Sequence, residues 1–268
     1  MKPSYCVAAC VVCLAFCAGA GADDDLATVH LELGAYGPEF ETRLAINGEL
    51  LGDEINLEDD LNFSKDDTAF RVGGNWRFAK RHRLIADYYS LGRDASAVTE
   101  KEIILDDVVF PVGIGVRGGF DVDIVQLAYT YSIIQTDRSE LGLSIGVHWP
   151  SMNFFLEGVG LDDIVDSDLR AEADLEGPLP LIGADGRYRL LDWLYASGRF
   201  QVFSLEYDKY DGRFIDARVA LEAWPVDWVG LGLGYNVVDL DFDVDDGRWR
   251  GELDHEYRGF RLFLIAQF

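Results

Sequence analysis

The sequence predicts an all-β protein: a transmembrane, antiparallel up-and-down β-barrel of about ten strands, preceded by an export leader. Three observations carry this reading. After residue 22, segment after segment alternates strictly between apolar and polar residues, as strands with one apolar face do. The apolar phases run uncharged for about nine to eleven residues, the length a tilted membrane strand needs. The connections alternate between very short and long, acidic ones, and short turns at one end with long loops at the other mark membrane barrels.

Composition narrows the field. The chain has 268 residues, 49% hydrophobic, with 48 acidic against 23 basic side chains and a formal net charge of -25. That apolar content excludes a disordered chain. The acidic balance gives no electrostatic support to nucleic-acid binding.

Residues 1–22 are read as a signal peptide. Lys2 precedes an apolar run from Val7 to Ala18, and Ala20-Gly21-Ala22 fits the small-x-small rule with cleavage before Asp23. The apolar run is too short to span a bilayer. All four cysteines, Cys6, Cys10, Cys13 and Cys17, lie in this segment. The mature chain, residues 23–268, therefore has no disulfide and no cysteine metal site. It is read as one barrel domain with no cofactor and no metal centre.

The strands follow in order. Val29, Leu31, Leu33 and Ala35 alternate with polar or small residues, as do Phe70, Val72, Gly74, Trp76 and Phe78. The same holds for Val125 to Ile133, Leu141 to Trp149, Ile215 to Ala223, Val229 to Val237 and Phe260 to Phe268. Alternation alone suits a soluble sandwich or lipocalin-like barrel equally well, with the apolar face turned inward. The leader, the uncharged strand faces and the loop inequality favour lipid. So do the aromatics Trp76, Phe78, Trp193, Tyr195, Trp224 and Trp228, which sit at strand ends where an interfacial girdle would lie. Short connections at 79–81, 135–140, 190–192 and 225–227 give ten strands, near 26–46, 68–79, 82–98, 115–134, 140–158, 177–190, 193–208, 213–224, 228–243 and 248–268. Eight or twelve strands also fit, since 26–46 or 100–120 could hold another hairpin.

The C-terminal pattern Phe260-x-Leu262-x-Leu264-x-Ala266-x-Phe268 resembles the assembly signal of Gram-negative outer-membrane proteins, which the barrel-insertion machinery reads. The mature chain resembles a group of little-characterised proteobacterial outer-membrane barrels, broadly of the OmpA and OmpW membrane-domain type. Asp67-Thr68-Ala69-Phe70-Arg71, Phe110-Pro111-Val112-Gly113 and Leu231-Gly232-Leu233-Gly234-Tyr235-Asn236 carry that likeness. The resemblance implies an outer-membrane location, with lipid and lipopolysaccharide as surroundings. It brings no catalytic residues.

If the apolar faces meet lipid, the opposite phase lines a lumen. It supplies Glu32, Arg71, Arg77, Arg83, Asp87, Asp185, Arg187, Arg199, Asp216, Arg218, Glu222 and Arg261. Arginines and carboxylates in such balance pair across a narrow lumen. They form either a polar plug or a selective pore, and a barrel of about ten strands is narrow enough for a plug. The excess acid falls in the predicted outer loops. Residues 52–67 and 161–176 each hold seven acids and one base, and Asp239, Asp241, Asp243, Asp245 and Asp246 form a third cluster. Carboxylates of this kind suit divalent cations, but no calcium-loop motif is present. The alternating aspartates read more simply as one face of a strand leaving the membrane. Catalysis would need a base with a partner at the rim. Asp254-His255 faintly resembles the Asp–His pairing of omptin proteases, but adjacent strand residues point to opposite faces. The expected role is structural or interactive, with a plugged lumen and acidic outer loops. A narrow small-solute channel and a rim hydrolase, protease or lipid-modifying, are the alternatives.

Overall fold

The computed structural model describes residues 28–47, 54–105, 107–159, 169–207, 210–245 and 250–268. The leader, residues 1–22, and part of the acidic stretches, including Asp53, Asp162, Asp163, Asp166, Asp168 and Asp246, lie outside the described residues.

The elements are β1 (Thr28–Asn47), β2 (Ile55–Asn56), helix α1 (Leu57–Asp60), β3 (Ala69–Ala79), β4 (His82–Val98), β5 (Ile103–Leu105), β6 (Val108–Phe110), β7 (Gly115–Gln135), β8 (Ser139–Val159), β9 (Arg170–Glu176), β10 (Leu179–Leu191), β11 (Leu194–Tyr207), β12 (Tyr210–Val226), β13 (Val229–Asp245) and β14 (Arg250–Gln267). Ten of them are staves of one closed barrel, in the order β1-β3-β4-β7-β8-β10-β11-β12-β13-β14, all antiparallel. The last stave returns to the first, from His30↔Gln267 to Asn47↔Arg250. Closure leaves no membrane-level edge with unpaired backbone groups, as a strand-built span must. Each expected strand is present with ends shifted by a few residues. One stave extends further than expected: β9 continues β10 upward along β8, from Ser151↔Glu176 to Glu157↔Arg170. The outward residues there are Glu172, Asp174 and Glu176, and the apolar phase, Ala171, Ala173 and Leu175, faces in.

Side-chain phase is constant along each stave, but its chemistry reverses halfway. In the half nearest the short turns, apolar residues face out: Phe260, Leu262, Leu264 and Phe268 of β14, Leu231 and Leu233 of β13, and Leu143 and Ile145 of β8 are all exposed. Towards the long loops the same outward phase becomes Arg258, Glu256, Asp254 and Glu252 on β14 and Asp239, Asp241 and Asp243 on β13. Inside, the order is opposite. The turn half holds buried Arg71, Arg83, Asp87, Asp185, Asp216, Arg218 and Arg261. The loop half holds a buried apolar core, including Phe120, Ile124, Phe154, Leu156, Phe214, Leu240 and Leu253.

Two long connections complete that core rather than lying in solvent. β3 begins at Ala69 while its neighbours rise to Asn47 and Val98, so the wall is one strand short near the loops. Residues 54–68 fill the gap. Leu44↔Ile55 and Arg43↔Asn56 pair with β1, and the Phe40 amide donates to the Lys65 carbonyl at 2.9 Å. Asn56 caps α1, its Oδ1 accepting from the Glu58 and Asp59 amides at 3.1 and 2.9 Å. Ile55, Leu57, Leu61 and Phe63 point inward and are buried. The β5–β6 hairpin adds buried Ile103, Leu105 and Phe110. An apolar core of this size explains why two acid-rich stretches fold back: their interspersed apolar residues gain more from burial, roughly 1.5–3 kcal/mol for each large side chain, than their exposed acids lose.

The aromatic girdle is corrected in one respect. Trp76, Phe78, Trp193 and Trp228 are exposed, as an interface would require. Trp224 is buried, and Tyr195 packs beside it. Both lie on the inward phase, opposite exposed Val219, Leu221 and Phe200, and both rings stack under the Arg187 guanidinium. Lumen-facing Gly232 leaves the room that Phe263 fills beside them; a Cβ there would lie within the Phe263 ring.

Candidate functional site

The lumen of the turn half is the most elaborate polar constellation in the molecule. Its walls come from β1, β3, β4, β8, β10, β11, β12 and β14, each contributing alternate residues. All twelve luminal residues expected from the sequence reach it, and ion pairs join them. Arg71 meets Asp87 at 3.0 Å and Arg83 meets Asp185 at 2.6 Å. Arg187 meets Glu222 at 2.9 Å, Arg218 meets Asp216 at 2.9 Å, and Arg261 meets Glu32 at 2.6 Å. Asp87 is the central node: Arg199 and Arg218 also approach it, at 3.0 and 3.6 Å. Gly73 stands across from Asp87, and a Cβ there would collide with its carboxylate.

One member was missing from the expected set. Glu140, at the foot of β8, accepts two hydrogen bonds from Arg77, both at 2.7 Å, and lies 3.3 Å from Arg83. Ser132 also donates to it at 2.5 Å. Its position is readable: Glu140 shares strand phase with Ser144 and His148, but it stands where the short connection 135–140 meets the strand 140–158. Gln126 and Gln201 bridge the top of the network at 2.6 Å, and the Arg218 guanidinium donates to Gln126 at 3.2 Å. Charged groups held this tightly resist a single loss, because removing one partner of a buried pair costs roughly 3–5 kcal/mol.

A cavity of about 170 Å³ remains within the network, lined by His30, Asn75, Arg77, Glu140, Arg187 and Arg199 among others. Above it the apolar core fills the loop half.

That core holds one polar knot. Arg93 of β4 donates to Glu58 of α1 at 2.6 Å and to the Thr42 hydroxyl at 2.8 Å. The Thr42 amide donates to Glu58 at 2.8 Å, and the Thr42 hydroxyl pairs with His255 Nδ1 at 3.0 Å. Phe40 lies under the Arg93 guanidinium at 4.4 Å. The knot pins the 54–68 segment to the wall. Glu58, one of the seven acids of 52–67, is therefore buried rather than part of an outer loop surface. This level lies above the apolar outward band, towards the long loops. There, burial and the nearby Arg93 charge push the His255 imidazole down to about 3.

The hydrolase geometry is absent from the Asp254-His255 pair. His255 is buried on the inward phase, while Asp254 is half exposed on the outward one. His148 is buried beside Phe214, and His82 meets the Tyr129 hydroxyl at 2.6 Å. Among the described residues, no group of His, Cys, Asp or Glu has metal-ligand geometry, and no helix is long and apolar enough to cross a membrane.

No family model matches the chain, and no curated protein matches it. Solved structures do. The outer-membrane protease OmpT of Escherichia coli superposes with a TM-score of 0.56 at 11% identity, covering 94% of this chain and 99% of OmpT. The transport unit of the Escherichia coli autotransporter AIDA-I covers 100% of both chains at 11% identity, with a TM-score of 0.40. The Pseudomonas putida toluene transporter TodX matches over 92% of this chain and 90% of its own at 8% identity, with a TM-score of 0.34. The OmpT superposition shows the fold: this chain is a closed ten-stranded barrel of the outer-membrane type.

Proposed function

We propose that the protein is an integral outer-membrane barrel, exported by residues 1–22, with a structural or interaction role rather than an open pore. The single observation that carries this is a lumen filled twice. A connected arginine–carboxylate network occupies the turn half, and an apolar core that includes two inward-folded loops occupies the loop half. The uncharged outward band of the turn half sits in lipid, and the C-terminal Phe260-to-Phe268 face directs assembly by the barrel-insertion machinery. The acid-rich outward face of the loop half meets the cell exterior, where lipopolysaccharide with its bound divalent cations is the nearest partner.

Planar-bilayer recording on the purified, refolded chain tests the role. The expected result is an electrically silent bilayer. Steady ohmic current steps would reject the plugged lumen and establish the small-solute channel instead. Peptide or lipid hydrolysis lost on His255→Ala would establish the hydrolase. The buried imidazole, with Asp254 on the opposite face of the strand, speaks against it. Fractionation with the outer membrane is the accompanying localisation test, and recovery from the soluble periplasm would overturn it.

A further inference from the structure

Among the described residues, the luminal ion-pair network carries one cation too many. Seven arginines, Arg71, Arg77, Arg83, Arg187, Arg199, Arg218 and Arg261, face six carboxylates, Glu32, Asp87, Glu140, Asp185, Asp216 and Glu222. Five arginines can each be matched to a different carboxylate at its shortest contact: Arg77 with Glu140, Arg83 with Asp185, Arg187 with Glu222, Arg218 with Asp216 and Arg261 with Glu32. Arg71 and Arg199 both depend on Asp87. Arg71 is deeply buried and donates to one Asp87 oxygen from Nε at 3.3 Å, with Nη2 in ion-pair range at 3.0 Å; Arg199 donates to the other oxygen at 3.0 Å but stands more open, on the cavity wall. Arg199 is therefore the surplus charge.

Its rung partners sharpen this. Directly across β11–β12 lies Arg218, a like charge, and like charges directly opposite destabilise a strand pair. Directly across β10–β11 lies Asp185, but that carboxylate turns to Arg83 at 2.6 Å. The Arg218 Nε is buried and has no hydrogen-bond partner among the described residues. Both guanidiniums line the cavity of about 170 Å³. Arg189, one strand repeat beyond Arg187 on the same phase, adds positive charge towards the turn end.

We propose that this cavity binds a small monoanion, a halide or a simple carboxylate, held between the Arg199 and Arg218 guanidiniums. One negative charge there neutralises the surplus and screens the like-charge rung. Guanidinium is the weakly hydrated, multi-donor cation suited to such a site. The volume excludes large anions. The inference rests on the filled lumen proposed above.

Thermal unfolding of the full mature chain in detergent tests it, comparing sodium chloride with sodium gluconate at equal ionic strength. Chloride should raise the unfolding temperature saturably, because a ligand that binds only the folded state stabilises it in proportion to the logarithm of its excess over Kd. Arg199→Gln should abolish the difference between the two salts. Arg218→Gln should unfold at lower temperature in both salts, since it strands Asp216. Equal unfolding of the natural chain in both salts, or a chloride response unchanged in Arg199→Gln, would overturn the proposal. Should Arg199→Gln not fold, crystals of the natural chain grown in bromide decide: anomalous density beside Arg199 is expected, and its absence contradicts the site. A conducting bilayer with an intact salt difference would instead reject only the plugged-lumen reading, so the two failures are distinguishable.

Discussion

The turn half and the loop half of the barrel are built from the same strands, in the same phase, with opposite chemistry. Along β14 and the residue that follows it, the even positions Phe260, Leu262, Leu264 and Phe268 are apolar and exposed, and from Arg258 to Glu252 they are charged. The odd positions carry buried Ile265 and Phe263 beside Trp224 at the turn end, then Arg261 among ion pairs, and reach Leu253 in the apolar core of the loop half. Backbone geometry is continuous across the change, so it cannot be the cause. On the membrane placement proposed above, the surroundings select the side chains: hydrocarbon outside one half and water outside the other. The inside compensates in each case. Where lipid takes the apolar face, the lumen is left with charges that must pair. Where water takes the charged face, the interior becomes an ordinary hydrophobic core.

The strongest way to break this comparison is to put the wrong pairing in the loop half. Glu58→Ala leaves Arg93 charged in an apolar core and should cost about 3–5 kcal/mol. The double variant Glu58→Leu with Arg93→Met should recover most of that loss. Chemical unfolding in detergent measures both, and a silent Glu58→Ala would mean that the 54–68 segment does not seal the wall.

Next comes the outer face. Leu233→Arg places a charge in the lipid band and should cost about 2–4 kcal/mol near the bilayer midplane. Asp241→Leu, four rungs higher in phase on the same strand, should change stability by at most about 1 kcal/mol, since exposed charges contribute little. Equal costs would erase the boundary between the halves.

What the sequence revealed follows the same division. Period-two alternation makes the staves and their phase legible, and with them which charged residues share the inward face, because an uninterrupted apolar row runs along the outward one. The loop half was harder to read. Its inward residues alternate too, but its long connections hide apolar residues among acids, as Ile55, Leu57, Leu61 and Phe63 do. Nothing local says that such a segment turns inward; that is decided by the missing stretch of β3 it fills. The Arg93–Glu58 pair joins residues 35 apart in sequence, with no motif to link them. Trp224 and Tyr195 looked like girdle residues because an aromatic at a strand end is ambiguous by one residue of phase.

A gentler test is acid. His255 is held at about 3 against an ordinary 6.5, so below pH 6.5 the unfolded chain takes up a proton that the folded chain refuses. The stability owed to the neutral imidazole is complete above pH 6.5 and is lost progressively as pH falls towards 3. The outer carboxylates Asp243, Glu252 and Asp254 are raised by partial burial and by neighbouring acids. Their contribution has the opposite sign, present in acid and lost as pH rises through their folded values. Unfolding temperature followed from pH 7 to 4 should therefore fall more shallowly in His255→Gln than in the natural chain. Identical slopes would contradict the buried knot.

The smallest effect on stability is expected at the C-terminus. Phe268 is 70% exposed, so its share in the fold is limited to two backbone hydrogen bonds with Val29 at the barrel seam, at 2.9 and 3.0 Å. Its deletion should leave refolded stability nearly unchanged while lowering outer-membrane yield in cells. Equal yields would show that the terminal pattern is not read during assembly.

The central claim, one strand phase crossing from lipid to water, is tested most directly by single-cysteine scanning of β14 in a chain beginning at Asp23, which carries no cysteine of its own. Each position from Glu252 to Phe268 is replaced in turn, and the protein is reconstituted in bilayers and treated with a membrane-impermeant maleimide. Reaction is predicted at Glu252, Asp254, Glu256 and Arg258, with protection at Phe260, Leu262 and Leu264 and at the inward positions Leu253, His255, Tyr257, Arg261 and Phe263. Labelling at Leu262 or Leu264, or protection at Asp254 and Glu256, would contradict it.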